Sequence, residues 1–247
     1  MSEPEVNVQK MTRREAREAM EEGKFKVAII PTGAIEQHLE HLAMEHDIRS
    51  STWVAQQAAQ RLYPQAIVAV PMSIGISEHH MIHKGTLSAK PGSWMTVLFD
   101  AIECMARHGC NHILVLNGHG GHEQPVYGML RQWQLYFQNV MPEVNLQFNS
   151  YWNLSRAEAE EVCETGVPGH ATEYETSMAL HLFPENVRND AIEDPEAKLA
   201  TAEKGQKVCE AAVAKTVEYI EGMLSGRFAE MIGHVMSKEL DPRVWDE

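Results

Sequence analysis

Residues 112–122 read HILVLNGHGGH, and this segment is the strongest indication of the fold class. Its apolar run predicts a buried strand over His112–Asn117, and the glycines that follow allow a close turn into a helix. Short apolar runs alternate with helical patterns on both sides of this segment. Further strands are predicted at Val27–Pro31, Ala66–Val70 and Val144–Tyr151. This pattern predicts an α/β fold, a three-layer α/β/α sandwich with a mostly parallel central sheet.

Helices are predicted between and after these strands, with apolar residues three or four positions apart. In order they cover 11–22, Asp47 to about Leu62, Pro91–His108, Glu123–Asn139, Ala171–Leu182 and part of 195–224. No internal repeat or Pro/Gly/Ser-rich linker interrupts the chain, so we expect one domain over residues 1–247. In such folds ligands bind beyond the carboxyl ends of the strands, so we expect the functional residues to lie there.

Composition excludes several functional classes. The chain has 21 Lys+Arg against 35 Asp+Glu, a net charge of −14, which disfavours nucleic acid and anionic membranes as partners. No apolar run has the length of a membrane span, and the N-terminus MSEPEVNVQK lacks the apolar stretch of a secretory signal. Four cysteines without a CxxC pair indicate a reducing compartment. We therefore expect a cytoplasmic protein that acts on a small molecule.

Histidine is frequent, with 13 residues, and many of them lie in four segments. In the first, Glu36, His38 and Asp47 offer carboxylate, imidazole and carboxylate groups. Zinc and similar divalent metals accept this mixed nitrogen and oxygen set. On these residues alone, a solvated polar loop remains an alternative.

The second segment, residues 77–86, places His80, His83 and Lys84 in a loop after the second strand. Loops on rigid scaffolds often carry binding residues, although surface histidines without a role remain an alternative. In the third segment, glycines place His119 at a strand end, which makes it a candidate metal ligand. The helix that follows can hold an anion or oxyanion, but a phosphate loop is disfavoured because no Lys-Ser/Thr follows.

The fourth segment contains His170, Glu173 and Glu175 at a predicted helix start. The two glutamates differ by two positions, so at most one faces the same site as His170. Glu173 fits a solvated carboxylate that complements the helix dipole. Glu175 enters an apolar stretch and needs a partner there, and a metal ion is one such partner.

Together these segments resemble the creatininase (creatinine amidohydrolase) family over about residues 26–185. The resemblance implies a three-layer α/β/α enzyme with two divalent ions per subunit (Zn, Mn or Fe), assembled as a homo-hexamer. The matching stretches are Pro31-x-Gly-x-x-Glu-Gln-His38 with His41-Leu42 and Asp47, His80…Gly85-Thr86, Asn117-Gly-His-Gly-Gly121, and His170-Ala171…Glu175-Thr176-Ser177.

By position, the resemblance implies metal ligands at Glu36, His38, Asp47 and His119, with Asp47 shared between two ions. Creatininase completes its second site with a glutamate two residues after the glycine-loop histidine, where this chain has Gly121. Glu175 is the natural substitute. The resemblance further implies that a hydroxide between the ions attacks a carbonyl carbon. His170 is the first candidate to carry the proton to the leaving group, and Glu173 a weaker one.

Several pocket positions depart from the family pattern while the implied metal ligands are kept. The departures are Leu39, Ala43, His83-Lys84, His122 and Thr172. They argue for a substrate other than creatinine. The expected substrate-binding residues are His80, His83, Lys84, Gly120, Gly121 and His122.

The sequence leaves the substrate open. Hydrolysis of an amide C–N bond in a small polar, cyclic molecule is favoured, and C–C hydrolysis of a cyclic polyol diketone such as an inositol-derived dehydro-inosose is the alternative. A non-catalytic metal-binding or assembly protein belongs to a different class and would be marked by a lost ligand. A phosphate-binding regulator would need a basic pocket, and only Lys84 indicates one.

Overall fold

A parallel sheet organises the chain, of which the computed structural model describes residues 4–228. Its strands are β1 (Val27–Thr32), β2 (Ala66–Val68), β3 (His112–Asn117) and β4 (Asn145–Ser150), in the order β2-β1-β3-β4. All three pairings are parallel, because each strand returns through a crossover that contains a helix.

Helices cover both faces of the sheet. They are α1 (Arg13–Glu21), α2 (His46–Arg61), α3 (Pro91–Arg107), α4 (Glu123–Val140), α5 (Tyr151–Leu154), α6 (Arg156–Glu160), α7 (Glu173–Leu182) and α8 (Ala202–Leu224). Strand β1 is buried on both sides: Val27 and Ile29 pack in a core with α2 and α8, while Ala28 and Ile30 pack in a core with α3 and α4. The predicted three-layer sandwich is confirmed.

The predicted strands and long helices are present, with shifted ends. Strand β2 ends at Val68, two residues early, and Val70 is 57% exposed. Helix α7 begins at Glu173, because Ala171 has a left-handed φ of 53° that cannot continue into a right-handed helix. Helix α8 begins at Ala202, where the Thr201 side chain accepts a hydrogen bond from Lys204 N.

The carboxyl ends of β1 and β3 lie side by side, with Thr32 opposite Asn117. The Thr32 hydroxyl donates to Asn117 Oδ1 over 3.1 Å and ties the two ends together. Within residues 4–228, none of the helices combines the length and the apolar character that crossing a bilayer requires. The one-domain organisation over 1–247 stays a prediction, and its last part, 229–247, lies outside the described residues.

Candidate metal centre

The first turn of α2 places Asp47 above the ends of β1 and β3. The loop after β3 passes so close to this turn that a Cβ on Gly118 would lie 2.5 Å from the carbonyl oxygen of Asp47. Any side chain at position 118 would therefore move the start of α2. This close approach holds the Asp47 carboxylate, which is 3% exposed, between the loops that follow the two strands.

Asp47 faces a different imidazole with each of its oxygens. Oδ1 lies 3.0 Å from His38 Nε2, and Oδ2 lies 3.0 Å from His119 Nδ1. Oδ2 is buried and accepts no hydrogen bond. One carboxylate thus lies between two histidines that follow different strands, as expected of a ligand shared by two ions.

Each of these histidines uses its other ring nitrogen on a backbone carbonyl. His38 Nδ1 lies 3.1 Å from the Glu36 carbonyl oxygen, and His119 Nε2 lies 3.0 Å from that of Ile76. Because a carbonyl only accepts, those nitrogens carry a proton, and in its neutral form each ring points the lone pair of its other nitrogen at Asp47. A buried lone pair that faces a carboxylate needs a cation between them. The residues therefore fit divalent ions, with the hydrogen-bonded imidazoles that metal sites commonly use.

Two further carboxylates complete the cluster. Glu36 Oε1 lies 3.3 Å from His119 Nδ1, and the Ser77 hydroxyl donates to Glu36 Oε2. Glu175 Oε2 lies 3.9 Å from His38 Nε2. Of the two glutamates at the start of α7, Glu175 is the one that faces the cluster.

Electrostatics in the metal-free chain reflect three carboxylates held out of water. Burial opposes protonation of His38, yet Asp47 raises its pKa to about 9. Burial likewise opposes protonation of His119, and the adjacent carboxylates of Asp47 and Glu36 raise its pKa to about 10. Burial raises the pKa of the Glu175 carboxyl to about 7 although His38 acts in the opposite direction. Without a metal, protons take the place of the missing positive charge.

A cavity of about 290 Å³ opens onto this cluster. His80, Gly120, Gly121 and His170 line it, and their substrate-binding and catalytic roles stay predictions. Burial, followed by the charge of His38, lowers the pKa of His170 to about 4, so this ring is neutral near pH 7.

Gly121 leaves no room for the glutamate that creatininase carries at that position. A Cβ there would lie 2.4 Å from both the Ile76 carbonyl oxygen and His119 Nε2. The backbone oxygen cannot rotate away as a side chain could. Glu175 therefore reaches the second half of the cluster from α7 instead.

Glu173 does not reach the cavity, which corrects the prediction that it is a weaker proton-carrying candidate. It is fully buried, and its Oε2 accepts hydrogen bonds from the backbone N–H groups of Glu164 (2.7 Å) and Thr165 (2.9 Å). Its Oε1 pairs with Lys204 of α8. The carboxylate thus joins a loop to α8.

His122 also differs from its predicted role in substrate binding. Its ring is fully buried and stacks on Trp94, with centroids 4.0 Å apart. Nδ1 donates to Asn117 Oδ1 over 2.9 Å, and Nε2 accepts from Ile76 N over 3.2 Å. With both nitrogens occupied, His122 positions the backbone of Ile76, whose carbonyl oxygen contacts His119.

His83 and Lys84 lie outside the metal cavity. They line a neighbouring groove of about 720 Å³, which also contains Glu40, Glu193 and Asp194. The groove is also lined by Gln37, whose amide contacts His80 and His170 of the metal cavity. A role for His83 and Lys84 in substrate binding stays a prediction.

Several residues at the site were assigned no role from the sequence. They are Gln37, Ser77, His79, Asn117 and Trp152. Gln37 lies between two predicted ligands in Glu-Gln-His38, so its position was a usable signal. Ser77 and Trp152 reach the site only through tertiary contacts, so the sequence contained no signal for either residue.

Comparison with known proteins identifies the family. The family model described as creatinine amidohydrolase matches residues 9–198, most of the chain. The chain belongs to the creatininase family.

Curated relatives differ in what they act on. They are a mycofactocin precursor peptide peptidase of Mycobacterium ulcerans (27% identical over 174 residues, 66% of this chain and 61% of the relative), a creatinine amidohydrolase of Pseudomonas putida (26% over 183 residues, 68% and 68%) and a 3-dehydro-scyllo-inosose hydrolase of Thermotoga maritima (29% over 199 residues, 78% and 61%). The chain thus spans about three fifths of the length of the first and third relatives.

Solved creatininases share the fold. A Zn–Zn form of a mutant creatininase superposes with a TM-score of 0.79 at 24% identity, over 89% of this chain and 98% of the other. A Mn form gives a TM-score of 0.79 at 23% identity, over 89% and 99%. Metal ions thus occur in neighbours that share this fold, and the present chain has a cluster able to hold them.

Proposed function

We propose that this protein is a dinuclear metal-dependent hydrolase that cleaves an amide C–N bond in a small polar, cyclic substrate. The observation that carries the proposal is the bridging position of Asp47, 3.0 Å from a nitrogen of both His38 and His119. Membership of a family whose named relatives are hydrolases supports it.

Five residues would hold the ions (Zn, Mn or Fe). Glu36, Asp47 and His119 form one set, and His38, Asp47 and Glu175 form the other. Bound divalent ions lower the pKa of a coordinated water and polarise a substrate carbonyl. The chain itself excludes bulk water from the carboxylates and fixes both imidazoles through backbone carbonyls.

The cavity wall supplies the remaining groups. We assign the backbone of Gly120 and Gly121, which lines the cavity, to the substrate oxygen. The proton-carrying role of His170 stays a prediction, supported by its place in the cavity wall, with Nδ1 3.9 Å from Glu36 Oε1. The volume of about 290 Å³ suits a small molecule.

A second candidate is C–C hydrolysis of a cyclic polyol diketone. It is favoured by the inosose hydrolase of Thermotoga maritima, whose alignment covers 78% of this chain. Metal-assisted attack on a carbonyl serves both reactions, so the same cluster would suffice. The reacting groups of the substrate, not the metal ligands, distinguish the two.

The test is turnover by protein stripped of metal and then reloaded with zinc or manganese. The panel contains cyclic amides and inositol-derived ketones, and Asp47→Asn is the comparison variant. Turnover of an amide that requires metal and Asp47 supports the proposal, while turnover of the ketone alone supports the second candidate. Full metal binding without turnover of either class would favour a non-catalytic metal-binding or assembly protein.

Two expectations about the setting also stay proposals. We propose a homo-oligomer, a hexamer by family resemblance, located in the cytoplasm. Light scattering coupled to size-exclusion chromatography gives the oligomer mass directly. A monomeric mass at micromolar concentration would contradict the first proposal, and recovery in an exported fraction would contradict the second.

A further inference from the structure

The side-chain amide of Gln37 lies between two histidines of the cavity wall. Its Nε2 is 2.8 Å from His170 Nε2 and 2.9 Å from His80 Nδ1. Its Oε1 accepts a hydrogen bond from Leu39 N over 3.0 Å. The N–H of Leu39 can only donate, so the amide is oriented with its oxygen towards Leu39 and its NH₂ towards both rings.

This orientation fixes the tautomers of the two rings. An imidazole nitrogen that receives an amide N–H must be unprotonated, so in the neutral ring the proton lies on the other nitrogen. His170 therefore carries its proton on Nδ1, and His80 carries its proton on Nε2. Both of these nitrogens lie 3.9 Å from Glu36 Oε1, on the side of the metal cluster. The rings stack with centroids 4.5 Å apart and an interplanar angle of 18°.

Without this constraint, His170 is close enough to bind a metal. Glu36, His38 and His170 each offer a ligand atom, and these atoms lie within 4.8 Å of one another. A ring nitrogen that carries a proton cannot bind a metal, because its lone pair is used.

We infer that Gln37 is a positioning residue that keeps His170 and His80 out of the metal coordination sphere and makes both present N–H donors to the substrate. The part of this inference that concerns the substrate rests on the proposed function. The ligand at this side of the cavity presents an oxygen acceptor, such as a carbonyl oxygen, and not an amine. His170 then donates a hydrogen bond from Nδ1 to that oxygen.

The backbone next to Gln37 adopts a conformation that supports the orientation of its side-chain amide. Leu39 has a φ of 53°, a left-handed conformation that is costly for a residue with a branched side chain. In this conformation its N–H meets the Gln37 oxygen. Strained backbone persists where surrounding structure holds it, often at functional sites.

The test exchanges Gln37 for glutamate, which has the same shape but only accepts. In Gln37→Glu, Leu39 N keeps an acceptor, but His170 must now donate from Nε2 and turn the lone pair of Nδ1 towards the metals. We expect zinc affinity to increase roughly 10–100-fold, the usual range for a residue that hydrogen-bonds a ligand, and turnover to fall. The direct readout is the ¹⁵N shift of the His170 ring nitrogens in zinc-loaded protein.

Wild-type protein should show a protonated His170 Nδ1 and only His38 and His119 shifted by zinc. Gln37→Glu should show a zinc-shifted His170 Nδ1, and Gln37→Met should show a mixture of tautomers. Gln57→Glu on α2 adds the same charge elsewhere and should match wild type. A metal-bound His170 in wild type, or an unchanged tautomer in both Gln37 variants, would overturn the inference. Because the shifts do not depend on turnover, an incorrect proposed function would leave them as described.

Discussion

Replacing Glu173 by alanine should destabilise the protein without affecting its metal centre. The carboxylate is fully buried and accepts two backbone hydrogen bonds, from Glu164 and Thr165. Hydrogen bonds to a charged acceptor contribute about 1.5 kcal/mol or more each, so their loss costs about 3 kcal/mol. The Lys204 pair adds little to this figure, because Lys204 keeps Glu164 as a partner at 3.0 Å. For a chain of this size the cost corresponds to a Tm lower by roughly 6–12 °C.

The assay combines thermal unfolding with metal content per chain, so it does not require a known substrate. Glu164→Ala is the matched control, because it removes an exposed partner of Lys204 and should cost at most about 1 kcal/mol. We expect Glu173→Ala to keep its metal. A variant with unchanged Tm that lost metal or turnover would refute the reasoning and return Glu173 to the site.

Four further outcomes are expected. Gly118→Ala places a methyl group against the first turn of α2 and should cost about 1–3 kcal/mol and lower metal content, measured by thermal unfolding and mass spectrometry. Glu175→Gln should lose one of the two ions while keeping the other, and retention of both would exclude Glu175 as a ligand. Metal-free protein should lose stability as pH rises from 7 to 10. In the folded protein the pKa of His38 is about 9 and that of His119 about 10, both above the ordinary 6.5. Protonation of these rings therefore stabilises the folded state fully below pH 6.5, and this stabilisation is lost as pH rises through the two folded-state pKa values. A melting temperature that stayed flat over this range would contradict these assignments. Lys84→Ala should keep its metal and change KM more than kcat, and an equal loss of both parameters would move Lys84 into the chemistry.

The fold was predictable because its signals are local. The apolar run in His112–Asn117 is buried on both faces of a parallel sheet, and the predicted strand matches β3 at both ends. Helix ends were less predictable where the backbone departs from the ordinary regions. Ala171, for example, has the residue type of a helix interior but a left-handed φ, so α7 begins two residues later than its sequence indicates.

Part of the cluster was predictable for a different reason: Glu36, His38 and His119 follow strand ends, which a parallel sheet brings to one edge. The roles of the residues around the cluster were not predictable, because a contact between residues far apart in the sequence leaves no local pattern. Glu173 and Glu175 differ by two positions, and which of them faces the cluster depends on Lys204, which lies 31 residues further along the chain from Glu173. His122 likewise looks like a binding residue until Trp94 and Asn117 are seen to enclose it.

The central claim is that Asp47 is shared by two metal ions, and metal content measured by inductively coupled plasma mass spectrometry tests it most directly. The protein is purified without chelator or affinity-tag nickel, beside Asp47→Asn and the surface control Asp100→Asn. The account predicts about two transition-metal ions per chain in wild type and in the control, and loss of both ions in Asp47→Asn. Wild-type protein that binds no metal, even after zinc or manganese is added, or an Asp47→Asn variant that keeps both ions, would contradict it.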